Sequence, residues 1–251
     1  MTEAPARWLD LRRFTPARVA LGRVGNGLPT TAHLAFQAAH AAARDAVHTP
    51  LDRAGLLADL ARAGIEARSV RTACPDRATY LRRPDLGRRL DEADRAAIAA
   101  TPVPGSVIFV LCDGLSPAAV QARAVPLLAA LLPRLREARV PLAPVAVATQ
   151  ARVALGDEIG EALGADAAVV LIGERPGLSA PESLGAYLTW APRRGRTDAE
   201  RNCISNIRPG GMTVAAAAAK LFWLLGEMRR LRLSGVGLKD EQPASAALPT
   251  C

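Results

Sequence analysis

The sequence predicts an α/β protein, a C-terminal Rossmann-like parallel sheet with crossover helices, preceded by a smaller, mainly helical N-terminal region. Three observations predict it. Short apolar, β-branched runs recur after residue 102, at SVIFVL, VAVATQ and AVVLIG, as expected of strands buried on both faces. A turn and then a helical stretch follow the first two runs, and strand–helix alternation is the signal of a parallel sheet with right-handed crossovers. Before residue 102 only residues 67–72 read as a strand, so the first hundred residues are expected to be mainly helical. The expected organisation is residues 1–101 as the helical region, with 1–14 a loose arm. Residues 102–241 form the sheet domain, and residues 242–251 form a flexible tail.

The elements can be justified in order. Pro29-Thr30-Thr31 opens a helix with a threonine cap, and the alanine-rich run over 32–47 continues it. Residues 53–63 form a second helix, closed by Gly64, and residues 91–100 a third. The grammar changes after Pro102-Val103-Pro104-Gly105. Residues 106–111 form a strand, and Ser116 then caps a helix whose first position is Pro117 and which runs to about residue 132. Strands follow at 145–148 and 167–172 with a helix at 157–163 between them, and 185–190 is a fourth strand. Residues 213–231 form a long closing helix. The segment TDAERNCISNIRPGG, residues 197–211, is too polar for core and reads as a loop over the working end of the sheet.

Composition narrows the function. Half of the 251 residues are hydrophobic but only 4% are aromatic, so the interior is built from Ala, Leu and Val. The net charge of +8 is almost wholly arginine, because Lys220 and Lys239 are the only lysines. A basic chain is the footprint of a nucleic-acid binder. Here, however, the arginines alternate with Asp and Glu, as in RRPDLGRRLDEADR, and few aromatics are present to stack on bases. The charge fits an acidic protein partner at least as well. Cys74, Cys112, Cys203 and Cys251 form no CxxC and no Cys/His cluster, which points away from zinc and towards a reducing cytoplasm. The N-terminus has no apolar signal-like region, and no apolar run reaches about 18 residues without a charge or proline. No membrane is expected.

In open α/β sheets ligands bind beyond the carboxyl ends of the strands. Three such ends can be read directly: Cys112-Asp113-Gly114-Leu115-Ser116, the stretch from Ala151 to Glu158, and Glu174-Arg175-Pro176-Gly177. Asp113-Gly114 alone is as readily a tight turn, Glu174 a solvated turn residue, Cys203 a small buried hydrophobe and Val153 a packing residue. No GxGxxG follows a strand and no Walker lysine is present. His33, His40 and His48 all fall on or just after the first helix, so the α/β half has no histidine for a Ser-His-Asp set or for a metal. Such a domain is suited to holding a large ligand rather than to running acid–base chemistry alone.

Several segments together resemble the small (light) chain of ethanolamine ammonia-lyase. They are residues 15–52, CDGLSPAAVQ at 112–121, RVALGDEIGEALGA at 152–165, the stretch from VVLIGERPGL to RTDAERNCISNIRPGG at 169–211, and LSGVGLKDE at 233–241. Family members pair with a large catalytic subunit and bind adenosylcobalamin between the two chains. The resemblance implies a carbon–nitrogen lyase, active only as that complex, which converts ethanolamine to acetaldehyde and ammonia by a radical mechanism. Cytoplasmic location is implied, with enclosure in a bacterial microcompartment as a variant. The family's cobalamin contacts correspond to Val153, Glu174 and Cys203, with catalytic residues on the large subunit. No protein ligand to cobalt is implied, since the coenzyme's own base occupies that position and this chain lacks the Asp-x-His-x-x-Gly pattern. Cys112 stands where a small residue such as alanine is expected, and Gly210-Gly211 replaces an acidic–glycine pair. Two rival readings make different predictions. A stand-alone nucleotide-dependent enzyme would be active by itself, and a basic binding module would show strong salt dependence.

Overall fold

The computed structural model describes residues 10–15 and 17–242. The arm expected over 1–14 and the tail over 242–251 fall mostly outside them, although Leu11–Arg13 forms one 3-10 turn. The chain is an α/β protein built on a mixed six-stranded sheet. The strands are β1 (Ala67–Val70), β2 (Val107–Cys112), β3 (Val145–Ala148), β4 (Ala167–Gly173), β5 (Leu184–Trp190) and β6 (Arg201–Ile207). The described helices are α1 (Thr30–His48), α2 (Arg53–Arg62), α3 (Arg77–Arg82), α4 (Glu92–Ala99), α5 (Pro117–Glu137), α6 (Leu155–Leu163) and α7 (Val214–Leu231).

The sheet order is β1-β3-β2-β4-β5-β6. The first four strands are mutually parallel, and β1, from the helical N-terminal region, supplies one edge through its pairing with β3. β5 then runs antiparallel to β4, and β6 antiparallel to β5. The all-parallel expectation fails here for a simple reason. Only residues 174–183 connect β4 to β5 and they contain no helix, whereas a parallel return needs a crossover of a dozen or more residues.

A second correction concerns residues 197–211, expected as a loop. They contain a short 3-10 turn, Asp198–Glu200, and then β6. The register slips between β5 and β6, so that Leu184 faces Ile207 while Ala186 faces Ile204. Asn206 takes up the extra residue at φ 59°. That bulge sets the inward-facing Ile204 and Ile207 three apart, which erases the alternation that announces a strand.

Helices cover the sheet unequally. On one face α2, α5 and α7 close a core over all the central strands, with Phe109, Leu111, Val169, Leu188 and Ile204 beneath leucines of the helices. The other face carries α4 and α6 over Ile108, Val110, Ala168, Val170 and Ile172. This second layer thins out at β5, where Tyr187 is only half buried, and on β6 Cys203 and Ser205 are exposed. The α6 face of the β5–β6 margin is therefore partly bare.

Three helix starts carry side-chain caps that the sequence reading does not name. Asp52, Asp91 and Thr213 cap α2, α4 and α7 by accepting amide hydrogen bonds. Two expected caps differ. Pro29, not a threonine, precedes α1, and Ser116 makes no cap bond, its hydroxyl donating to Pro181 O at 2.9 Å instead. α5 runs past residue 132, with Pro126 and Pro133 inside it. By length and composition α5 is apolar enough to cross a membrane, but its leucines line the core between the sheet and α7.

Candidate functional site

The three strand ends converge, and the first is tied up internally. Asp113, at the end of β2, is 2% exposed. Its carboxylate accepts from the amides of Gln150 (2.8 Å) and Ala151 (3.0 Å), at the end of β3, and from Arg77 Nη1 (3.0 Å). Burial pushes this carboxyl up, while the two amides and Arg77 oppose the shift. Arg77 also donates to Gly114 O (2.8 Å) and to Val47 O at the end of α1. The β4 end is equally close: a Cβ on Gly173 would lie 2.1 Å from Ser116 O, so no side chain fits. Asp113-Gly114 thus serves as the clamp between strand ends, with its acceptors already used.

Glu174 differs. It is half buried, directly after β4, on the α6 face. One oxygen accepts from Ser183 Oγ (2.5 Å) and from the Asn206 amide (3.3 Å), which the bulge aims at it. The other lies above Gly185, where a Cβ would come within 3.0 Å of it and 3.3 Å of Tyr187 Cε2. No hydrogen bond within the described residues reaches that second oxygen. Glycine at 185 leaves a shallow floor between the carboxylate and the tyrosine.

Cys203 pairs directly with Tyr187 across β5–β6, so the two share that same face. The thiol is exposed on its outer side. The protein packed around its inner side pushes its pKa up, a hydrogen bond with the Tyr187 side chain lowers it, and the Glu174 carboxylate raises it. Burial likewise raises the Tyr187 hydroxyl. Cys203 is therefore not the buried hydrophobe that composition suggests; it stands on the bare margin, coupled to Glu174 through Tyr187.

Val153 lies between β3 and α6 and packs against the second core. It also lines an open groove of about 610 Å³ together with Arg152, Arg175 and Arg196. The groove runs from the β3 and β4 ends down to the 3-10 turn before β6. At its lower end Arg201 forms a buried two-pronged ion pair with Asp157 on α6, both contacts at 2.7 Å. Arg201 also donates to Thr189 Oγ1 (2.9 Å) and Arg196 O (2.9 Å). Burial pushes the Asp157 carboxyl up and Arg201 works against it. Above this pair Glu158 accepts from the Leu90 amide (2.8 Å) and from Arg194 (2.8 Å).

Two of the three sequence-derived candidates, Glu174 and Cys203, thus lie around Tyr187 on the α6 side of the β4–β6 margin; Val153, after β3, lies apart from them on the groove, whose lining includes Arg175, the residue after Glu174. Sequence reading missed Tyr187, Gly185, Arg152 and the Asp157–Arg201 pair. Tyr187 could have been found, as a lone hydroxyl inside the apolar strand LGAYLTW that needs a partner when buried. The partnership of Asp157 with Arg201, 44 residues apart, had no local signal. Among the described residues no cluster of three or more His, Cys, Asp or Glu could hold a metal ion.

Comparison with known proteins fits this arrangement of motifs. Residues 5–239 match the family described as ethanolamine ammonia-lyase light chain. The chain is 57% identical over 244 residues to the ethanolamine ammonia-lyase small subunit of Azotobacter vinelandii, covering 96% of this chain and 90% of the relative. It is 55% identical over 239 residues to that of Rhodopseudomonas palustris, covering 95% and 92%. It is 56% identical over 235 residues to that of Bradyrhizobium diazoefficiens, covering 93% and 90%. With a match along nearly its whole length, the chain belongs to the ethanolamine ammonia-lyase light-chain family.

Proposed function

We propose that this chain is the coenzyme-binding small subunit of an ethanolamine ammonia-lyase, holding adenosylcobalamin against a large catalytic subunit. The observation that carries the reading is the bare β5–β6 margin, where Glu174 keeps an acceptor oxygen free beside Tyr187 and Cys203. A carboxylate placed so can accept from amide N–H groups, and the corrin periphery is rich in amides. The residues also fit the group in charge. On the groove that Val153 and Arg175 line, the buried Nε of Arg152 has no hydrogen-bond partner, as befits a site completed by a polar ligand. Val153 supplies an apolar wall. The coenzyme, when bound, supplies the radical chemistry that turns ethanolamine into acetaldehyde and ammonia; the protein contributes binding, orientation and electrostatics.

The helical N-terminal region supports a partner. α1 is nineteen residues long and buries only Ala46. It leaves Leu34 57% and Phe36 40% exposed, close in sequence to exposed Leu28 and Val24. Apolar surface of this kind marks contact with another protein, and the large subunit is its proposed occupant. His33, His40 and His48 all lie on this helix and none lines the groove, so the groove would offer the cobalt no imidazole.

The test is reconstitution. Neither chain alone deaminates ethanolamine, and mixing them gives turnover that requires adenosylcobalamin. Robust turnover by the purified single chain overturns the subunit reading.

A further inference from the structure

Five arginines line the groove beside Val153, and they divide into two kinds. Arg196 and Arg201 are neutralised by Glu200 and by Asp157. Arg88, Arg152 and Arg175 form no ion pair with any carboxylate among the described residues. The carboxylate on the groove, Asp198, is 3.4 Å from Arg201 and fully exposed. Asp85, three residues before Arg88, is bound by Arg83. Arg152 is the most constrained of the three. Its guanidinium lies 4.2 Å from the centroid of the Tyr80 ring, and Tyr80 is itself fixed by a 3.0 Å bond from its hydroxyl to Ala151 O. The Arg152 Nε is buried and unpaired. Three guanidinium groups without a carboxylate converge on one concave surface, and one of them is held against an aromatic ring with a buried, unpaired Nε; together they mark a place for an anion.

Resting on the coenzyme reading above, we infer that Arg152 and Arg175 bind the phosphodiester of the coenzyme's nucleotide loop, with Arg88 at the rim. That phosphodiester is the one anionic group on the coenzyme's periphery, where the corrin side chains are amides. A planar fork fixed on an aromatic ring suits it. Tyr80 holds Arg152 in one orientation, so the guanidinium loses little freedom on binding. Arg175 follows Glu174 directly, which places the anion contact next to the amide-accepting carboxylate. The coenzyme would thus be gripped at two chemically distinct points on this chain.

The experiment uses the complex reconstituted with the large subunit and three probes: cyanocobalamin, cobinamide phosphate and dicyanocobinamide, which lacks the phosphate. Dissociation constants are measured by equilibrium dialysis with absorbance detection. The two phosphate-bearing probes bind the parent complex more tightly than dicyanocobinamide. Arg152→Gln and Arg175→Gln each weaken those two by about tenfold, the loss expected of one charge-assisted contact, and leave dicyanocobinamide unchanged. Arg152→Lys restores part of the loss. Exposed Arg175 keeps the test valid if Arg152→Gln fails to fold. An equal loss for all three probes, no loss for any, or dissociation of the two subunits in the arginine variants overturns the anion assignment. A parent complex that binds none of the probes overturns the coenzyme reading itself.

Discussion

The two flanks of β4 use their polar groups in opposite ways. Towards β2 and β3, Asp113 spends both oxygens on backbone amides and Arg77, and its arginine is itself used up on two carbonyls. Towards β5 and β6, Glu174 keeps one oxygen without a hydrogen bond, Cys203 faces outward, and Arg175 has no carboxylate. Each flank has a carboxylate directly after a buried strand, and sequence could not tell them apart. Satisfied acceptors bind the fold together; unsatisfied ones are left for something that arrives later. The physical difference is coverage: α4 and α6 close the first flank and leave the second partly open.

The largest effect should come from the buried pair at the foot of the groove. Arg201→Ala leaves Asp157 buried without its partner and should cost about 3–5 kcal/mol in urea unfolding; a loss under about 1 kcal/mol would place the pair on the ligand side of the comparison. Gly173→Ala forces a methyl against Ser116 O and should cost roughly 1–3 kcal/mol of stability, with a melting temperature that falls in the isolated chain.

Glu174→Ala should do the reverse, leaving the unfolding midpoint nearly unchanged while coenzyme affinity in the reconstituted complex drops by roughly 1–3 kcal/mol. If affinity holds and stability falls, Glu174 belongs with Asp113. Val153→Ala should remove packing alone, of order 1 kcal/mol of affinity, with Cys203→Ser between the two.

The smallest effect concerns the turn before β6. Glu200 accepts from the Thr197 amide and hydroxyl and from Arg196, which lowers its pKa to about 2. A carboxyl depressed in the folded state contributes stability above its ordinary value near 4.5, and that contribution fades as pH falls through about 2. Amide exchange at residues 197–201 should therefore quicken between those limits before the rest of the sheet responds. Uniform acid unfolding would contradict it.

Much of the fold could be read directly. The strands β2, β3 and β4 consist of apolar runs buried on both faces, and α2 ends before Gly64 as expected. The candidate site was legible only as strand ends plus family likeness. β6 stayed hidden because the bulge at Asn206 breaks the alternation and because one of its faces is exposed.

Sequence by itself therefore determined what depends on near neighbours: most element types, the glycine that closes α2, and the length of the β4–β5 connection, too short for a parallel return. Tertiary structure decided which charges meet. Asp157 finds Arg201 and Asp113 finds Arg77 across the fold, and these pairings settle which arginines remain unpaired. A side chain's charge is written in the sequence, but whether it is spent depends on what the folded chain brings within hydrogen-bond reach.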